Sequence, residues 1–294
     1  MSLRRAFLAG ALILACCLVP PPAAAMDWPL TPQRFAATFG TFAKGRVVAG
    51  AALASEEGLV RSADDGEIAF AVEEGAHPAG LPTPLGSFVV VEHQRGLAGV
   101  YSHIAAGTLS TRVRKLRAGD PIGRPGNSGW TEGSGILFQV FDRRAGAWVN
   151  PVLVLPPLAG DKPPAIRSLA LSHAGKTYTL GETASLPQGT YRVSVDAIEP
   201  ADSPWVVGPL APYSIRLSID GVEAADYVFD VAKGAGGKLS FFSVSPVESG
   251  ALKTPEGRYS LVERLFSRGR VAIEVRVEDA AGNKRSASWT LLVE

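Results

Sequence analysis

The segment from Leu85 to Phe141 constrains the fold of this chain most strongly, because short apolar runs alternate in it with glycine-rich turns. Apolar runs of this length, interrupted by glycine, proline and aspartate, indicate strands and turns rather than long helices. The whole chain of 294 residues contains 32 glycines and 22 prolines, which suits globular domains rich in strands and turns. The pieces of the segment are, in order, Val89–His93, Tyr101–Ile104, Gly119-Asp120, Ile122–Gly129 and Gly133–Val140.

Together with the stretch that begins at Gly45, this order and spacing resembles the LytM/lysostaphin-type zinc metalloendopeptidases, which cleave bacterial cell walls. The family's middle block reads Tyr-x-His-Leu, Gly-Asp and Ile-Gly-x-x-Gly-x-x-Gly, and the chain has Tyr101-Ser102-His103-Ile104 followed by the matching glycines. The resemblance covers roughly residues 38–157, the usual extent of one domain. It implies a mostly β protein that begins with an antiparallel β domain of the duplicated hybrid motif type.

The positions that hold zinc in such an enzyme are occupied here by residues without a donor atom. The family's first motif, His-x-Gly-x-Asp, supplies two ligands, and Val48 and Ala52 stand at the ligand positions. The last motif, Gly-x-His-x-His, has Gly135 and Leu137 in place of its catalytic and zinc-binding histidines. Only His103 keeps the family's residue, and the resemblance makes it a relic of the catalytic site.

A catalytic zinc needs three protein ligands and an open position for water, so the sequence predicts that no zinc and no other cofactor is bound. The chain has four histidines, and no two of them have the short spacing of a metal motif. A displaced site formed by Glu92, His93 and His103 is the alternative. It is disfavoured because Glu92 and His93 are neighbours in a strand and point to opposite faces.

Three further residues have two interpretations each. His103 is either a leftover base or a histidine held by hydrogen bonds at a strand end, and the second is favoured because no metal-bound water is present for it to deprotonate. Trp130 and Trp148 either stack on sugars along the old substrate groove or pack against the domain. The sequence does not decide between these two.

Residues 1–25 have the three parts of a secretory signal: a basic start, an apolar run and a small-residue site before Met26. The sequence therefore predicts a secreted or periplasmic protein of the cell envelope. The alternative is a lipoprotein anchored to the membrane through Cys16. Removal of residues 1–25, which contain two arginines and no acid, changes the formal charge from +1 to −1. A net charge this close to zero does not indicate binding to nucleic acid.

Beyond Asn150 the pattern changes. Residues 158–164 read as a stiff proline-rich linker. Residues 165–294 show apolar and polar residues in alternation, the period of strands with one buried face. The pattern predicts an immunoglobulin-like or fibronectin-like β-sandwich that ends in a hairpin around Asp279–Asn283. The alternating segments are Tyr191–Asp196, Ile215–Asp220, Val271–Glu278 and Ser286–Val293.

Three functions agree with these features. The first, which we favour, is an inactive member of the peptidase family whose groove binds peptidoglycan or a cell-wall amidase or hydrolase. The second is an active peptidoglycan metalloendopeptidase with a displaced metal site. The third is a purely structural module of the envelope.

Overall fold

The structure is a computed structural model that describes residues 26–31, 34–43, 45–75, 83–131, 133–157, 162–183, 185–201, 206 and 208–294. The predicted signal at residues 1–25 and most of the predicted linker lie outside the described residues. In the described part, no helix has the length and apolar character that a bilayer crossing requires.

Among the described residues, the first part of the chain forms twelve strands and two short 3₁₀ helices. The helices span Gln94–Gly96 and Pro151–Leu153. The strands are β1 (Phe35–Ala37), β2 (Phe42–Ala43), β3 (Arg46–Val47), β4 (Ala51–Ala54), β5 (Val60–Arg61), β6 (Gly66–Val72), β7 (Ser87–His93), β8 (Leu97–Ile104), β9 (Lys115–Leu116), β10 (Pro121–Gly123), β11 (Gly135–Asp142) and β12 (Ala147–Val149).

Strand β11 is the centre of the main sheet. One of its edges pairs with β8, which continues through β7 and β6 to β9. Its other edge pairs with β4 over Gly135–Phe138 and with β12 over Val140–Asp142. Strands β2 and β3 form a separate hairpin, and β5 pairs with β10.

One face of the main sheet packs on a hydrophobic core. Tyr101 and Phe138 are fully buried cross-strand partners, and their rings lie 4.9 Å apart. Val89, Val91 and Val140 join the same cluster, since every second residue of a strand points to the same side. The intervening residues of these strands therefore form the opposite face, which carries the candidate site.

Where the structure describes the second part of the chain, it contains twelve more strands and one 3₁₀ helix, Ser249–Ala251. The strands are β13 (Ala165–His173), β14 (Lys176–Thr179), β15 (Ser185–Leu186), β16 (Gly189–Ile198), β17 (Ser214–Ile219), β18 (Val222–Val228), β19 (Val231–Ala235), β20 (Lys238–Phe241), β21 (Val247–Glu248), β22 (Tyr259–Phe266), β23 (Gly269–Glu278) and β24 (Lys284–Val293).

The predicted alternation of residues 165–294 is confirmed by burial. Val193 and Val195 of β16, and Ile273 and Val275 of β23, are buried in one hydrophobic cluster. These strands belong to two sheets, ordered β14-β13-β16-β22 and β15-β24-β23-β17-β18. The expected final hairpin is present as β23 and β24. The immunoglobulin-like or fibronectin-like topology itself stays a prediction.

The sequence pattern did not predict how the two parts of the chain are joined. Strand β19 of the second part pairs with β12 of the first, so β19, β20 and β21 extend the main sheet to eleven strands in the described part of the chain. Phe39 and Ala49 of the first part are buried in the core of the second. The two predicted domains are therefore connected by a continuous sheet and a shared core, and not only by the stretch at residues 158–164.

Asn150 closes this junction. Its side-chain Nδ2 donates a hydrogen bond of 2.7 Å to the carbonyl oxygen of Phe229, and its backbone N–H donates to that of Asp230 at 2.8 Å. The residue is 5% exposed, so its amide is withdrawn from water.

We predict that Asn150→Ala lowers the free energy of unfolding by about 1–3 kcal/mol, because the buried carbonyl of Phe229 loses its side-chain donor. Urea unfolding followed by fluorescence measures the change. The control is Asn127→Ala, since Asn127 is exposed, and this variant should stay within about 0.5 kcal/mol of the parent. Equal effects of the two substitutions would contradict this account of the junction.

Candidate functional site

The floor of the candidate site is a row of three residues on the exposed face of the main sheet. Leu137 of β11 is the cross-strand partner of Ala52 on one side and of Ser102 on the other. Cross-strand partners point to the same face, so these side chains lie together, opposite the buried Tyr101 and Phe138. The structure thus brings together Ala52 and Leu137, two of the positions that the resemblance assigns to zinc ligands.

This row is mostly apolar and has one unsatisfied polar atom. Ala52 and Leu137 are half-buried, whereas Ser102 is fully buried. The Ser102 hydroxyl has no hydrogen-bond partner among the described residues. Two residues along β11, Gln139 donates from Nε2 to the carbonyl oxygen of Ala49 at 2.9 Å. Val48 lies before β4 and is tied through its backbone N–H to the carbonyl oxygen of Thr41.

Gly135 leaves no room for a side chain. A Cβ atom built at this position would lie 2.3 Å from the carbonyl oxygen of Leu53 and 3.1 Å from Cα of Ala54. Both atoms belong to the backbone of the paired strand β4 and cannot rotate away. A histidine at position 135 would therefore require β4 and β11 to separate.

His103 lies at the end of β8 in a left-handed backbone conformation, with φ at 65°. Its Nδ1 is 2.9 Å from the carbonyl oxygen of Ser128, and its backbone N–H donates to the carbonyl oxygen of Leu85 at 2.9 Å. Burial lowers the pKa of the imidazole, although the Ser128 carbonyl and the charge of Glu74 act in the opposite direction. A carbonyl only accepts, so Nδ1 carries the proton. This geometry agrees with a histidine held by hydrogen bonds at a strand end.

The displaced site does not assemble. Glu92 is exposed and forms an ion pair with Arg143. His93 is 7% exposed on the opposite side of β7, with Nε2 3.2 Å from the Tyr101 hydroxyl and Nδ1 3.1 Å from the carbonyl oxygen of Asp65. The Tyr101 hydroxyl also accepts from the backbone N–H of Ala63. The Asp65 carbonyl only accepts, so Nδ1 carries a proton, and in the neutral ring Nε2 accepts from the Tyr101 hydroxyl. Burial lowers the His93 pKa, in agreement with this assignment.

The two tryptophans have different surroundings. Trp130 is 61% exposed, and the guanidinium carbon of Arg46 lies 5.3 Å from its ring centroid. Trp148 is half-buried, stacks edge-on against Phe141 at 5.0 Å and packs against the core of the second part. The contacts of Trp148 favour packing over a place in the groove, and whether either tryptophan stacks on a sugar stays a prediction. Trp130 remains available to a ligand.

Comparison with known proteins bears on the first part of the chain. Residues 46–151 match the model of Peptidase family M23. This part of the chain is an M23 peptidase-family domain. A second family model, which carries no functional description, matches residues 163–294. No curated protein shows significant sequence similarity to the chain.

Three solved structures illustrate the likeness. A mutant catalytic domain of a prophage-encoded M23 protein from Enterococcus faecalis is 20% identical, with 42% of this chain and 91% of that chain covered and a TM-score of 0.34. The lysostaphin catalytic domain from Staphylococcus simulans is 18% identical, with coverages of 36% and 74% and a TM-score of 0.29. A zinc-containing peptidase from Vibrio cholerae is 21% identical, with coverages of 40% and 36% and a TM-score of 0.32. Values this low transfer no function.

The residues of this M23 domain do not suit the zinc that the family implies. Val48, Ala52 and Leu137 have no lone pair to donate, and Gly135 cannot accept a side chain without movement of the backbone. Within the described ranges, no group of three histidine, cysteine, aspartate or glutamate side chains could hold a metal ion. No catalytic step through zinc is therefore derived for this chain.

Sequence reasoning missed several residues of the exposed face. Gln139 pairs with Val100, Val100 with Val90, and Val90 with Phe70, so these residues share the face with Leu137. Phe70 is 56% exposed and lies 5.8 Å from the ring of Phe88. The strand period could have placed Phe88 and Val90 together. The pairing of β6 could not be predicted, because a bulge between Ile68 and Phe70 shifts its register.

We predict that Gly135→Ala destabilises the protein by about 1–3 kcal/mol, the usual effect of forcing an atom into a packed interior. Gly234→Ala is the matched control, since Gly234 also lies in a strand but nothing lies within 4 Å of its built Cβ. Thermal or urea unfolding of both variants measures the difference. A Gly135→Ala protein as stable as the control would show that the site has room for a side chain.

The lowered pKa of His93 predicts a pH dependence. Its folded pKa lies below the unfolded value of about 6.5, so its stabilising contribution is full above that pH and is lost as the pH falls through the folded pKa. We expect His93→Gln, which keeps an acceptor for the Tyr101 hydroxyl, to lose less stability than the parent between about pH 7 and 5. Urea unfolding at each pH tests this, and identical slopes would contradict it.

Proposed function

We propose that this protein is a secreted envelope protein whose M23 domain binds cell-wall material or a cell-wall hydrolase without cleaving peptidoglycan. The proposal rests on the residues that occupy the family's zinc-ligand and catalytic positions within residues 46–151. The M23 domain is present, while Val48, Ala52 and Leu137 occupy its ligand positions and Gly135 excludes a catalytic side chain.

The exposed face of the sheet supports a binding role. Phe70 of β6 is exposed on this face, Val90 of β7 and Leu137 and Gln139 of β11 are half-buried, and Val100 and Ser102 of β8 are buried. Trp130 is also exposed. Apolar surfaces with a few placed polar groups are typical of ligand sites. Exposed aromatic rings add large contact areas for peptide or sugar. Peptidoglycan, or the surface of an amidase or hydrolase that acts on it, is the ligand that we propose.

The proposal includes export and the absence of zinc. The pattern of residues 1–25 supports secretion to the periplasm or beyond, and lipidation at Cys16 would instead anchor the protein to a membrane. No nucleic-acid partner is proposed, since the exported chain is close to neutral. The structural alternative is that the protein is an assembly module of the envelope and binds no ligand. The continuous sheet that joins the two parts of the chain supports this alternative.

Two measurements on the full exported chain test the proposal. The first is zinc content by mass spectrometry after incubation with zinc and desalting, together with release of soluble fragments from purified peptidoglycan. We expect no bound zinc and no fragments. About one zinc per chain, or fragment release that a chelator stops, would replace the proposal with the displaced-site enzyme.

The second is co-sedimentation with insoluble peptidoglycan and capture of purified cell-wall amidases. We expect Trp130→Ala to weaken binding at least about threefold, because a stacked ring contributes on the order of 1 kcal/mol. Val244→Ala is the control, since Val244 is 73% exposed in the second part of the chain. Binding that Val244→Ala reduces and Trp130→Ala does not would favour the second part as the interacting surface.

A further inference from the structure

A cleft of about 790 Å³ lies where the β2–β3 hairpin of the M23 domain meets the second part of the chain. Phe42 contributes to its lining from the hairpin. Residues Ser260–Glu263 contribute from β22, which is the edge strand of its sheet. Further lining comes from the segment between the 3₁₀ helix Ser249–Ala251 and β22, which includes Lys253 and Thr254. The other lining residues are Arg192, Tyr227, Val247, Gly250 and Ala251.

Lys253 lines this cleft and has no charge partner at contact distance among the described residues. Its Nζ lies 4.0 Å from the ring centroid of Tyr259. Within the described part of the chain, this ammonium makes neither a hydrogen bond nor an ion pair. A cation that is partly withdrawn from water without a carboxylate partner is costly, and contact with an aromatic face compensates for only part of the lost hydration.

The charged groups around Lys253 do not compensate fully for the lost hydration of its ammonium. Arg192 and Glu263, which also line the cleft, neutralise each other at 2.7 Å. Asp196 of β16 acts on Lys253 only through its charge at a distance. Burial lowers the pKa of Lys253 to about 8, and Asp196 offsets part of this effect. The Tyr259 hydroxyl is fully buried and has no hydrogen-bond partner among the described residues.

We propose that this cleft binds a small oxyanion, the carboxylate or the phosphate group of a ligand, at the ammonium of Lys253. The anion supplies the charge partner that the chain itself lacks. The remainder of the ligand lies against the apolar lining, which includes Phe42, Val247 and Leu261. The proposal is separate from the groove of the M23 domain, because none of these residues belongs to the face that carries Leu137.

Titration with sodium sulfate and with sodium acetate tests the proposal, at constant ionic strength set with sodium chloride and followed by NMR chemical shifts. Neither anion changes protonation between pH 6 and 9. We expect saturable shifts at Lys253 and its neighbours, and affinity that falls as the pH rises above about 8. Stronger binding of sulfate would indicate a phosphate-like ligand, and stronger binding of acetate a carboxylate. Shifts with neither anion would overturn the proposal.

Charge removal provides the matched comparison. Lys253→Met keeps the apolar stem and should weaken anion binding at least tenfold, whereas Lys233→Met, which removes an exposed lysine of β19, should leave it unchanged. Equal weakening in both variants would mean general charge attraction and would overturn the site.

If Lys253→Met does not fold, ¹³C-labelled lysine in the parent protein is the second measurement. A resonance that titrates near pH 8 should then move to higher pH on addition of the anion, and a resonance that does not move counts against the proposal.

Discussion

The antiparallel pairing of β12 with β19 is the interaction on which the arrangement of this protein depends. It joins Val149 to Val231 and Trp148 to Ala232, and so makes one sheet from two parts of the chain. The close approach of Gly40 to the ring of Phe229 belongs to the same junction, since a Cβ there would lie 2.2 Å from the ring. Backbone pairing and ring packing fix geometry far more firmly than a proline-rich connection does. The segment that leads from β1 to β4 is held between the two cores by this junction.

The row of Ala52, Leu137 and Ser102 in the M23 domain packs without an ionisable side chain. Ionisable ligands crowded together without a metal are costly, because each would be partly withdrawn from water near others of its kind. Ala52 and Leu137 remove that cost and keep the cross-strand contact. Ser102 is the exception: its buried hydroxyl without a partner costs on the order of 1–3 kcal/mol. The row is therefore apolar at β4 and β11 but carries an unsatisfied hydroxyl at β8.

The features that follow from local pattern could be predicted from the sequence. Alternation predicts that Val193, Val195 and Ile273 lie in a core, and the family resemblance implies that Ala52 and Leu137 belong to one site. The extension of the main sheet by β19–β21 could not be predicted, because pairing between distant strands depends on tertiary packing and leaves no local signature. The exclusion of a side chain at Gly135 depends on the position of the Leu53 carbonyl oxygen, which is likewise a property of the assembled sheet.

The β2–β3 hairpin connects the two candidate binding regions. Phe42 of β2 lines the Lys253 cleft, while Arg46 of β3 contacts Trp130 beside the M23 face. The hairpin is short, and its pairs Phe42–Val47 and Ala43–Arg46 hold these side chains on one small unit. A ligand in the cleft can change ligand binding at the M23 face only if the β2–β3 hairpin has two conformations and the ligand binds one of them more tightly. Phe39 and Ala49 anchor both flanks of the hairpin in the second core, so a displacement of its two strands would have to move these buried residues as well.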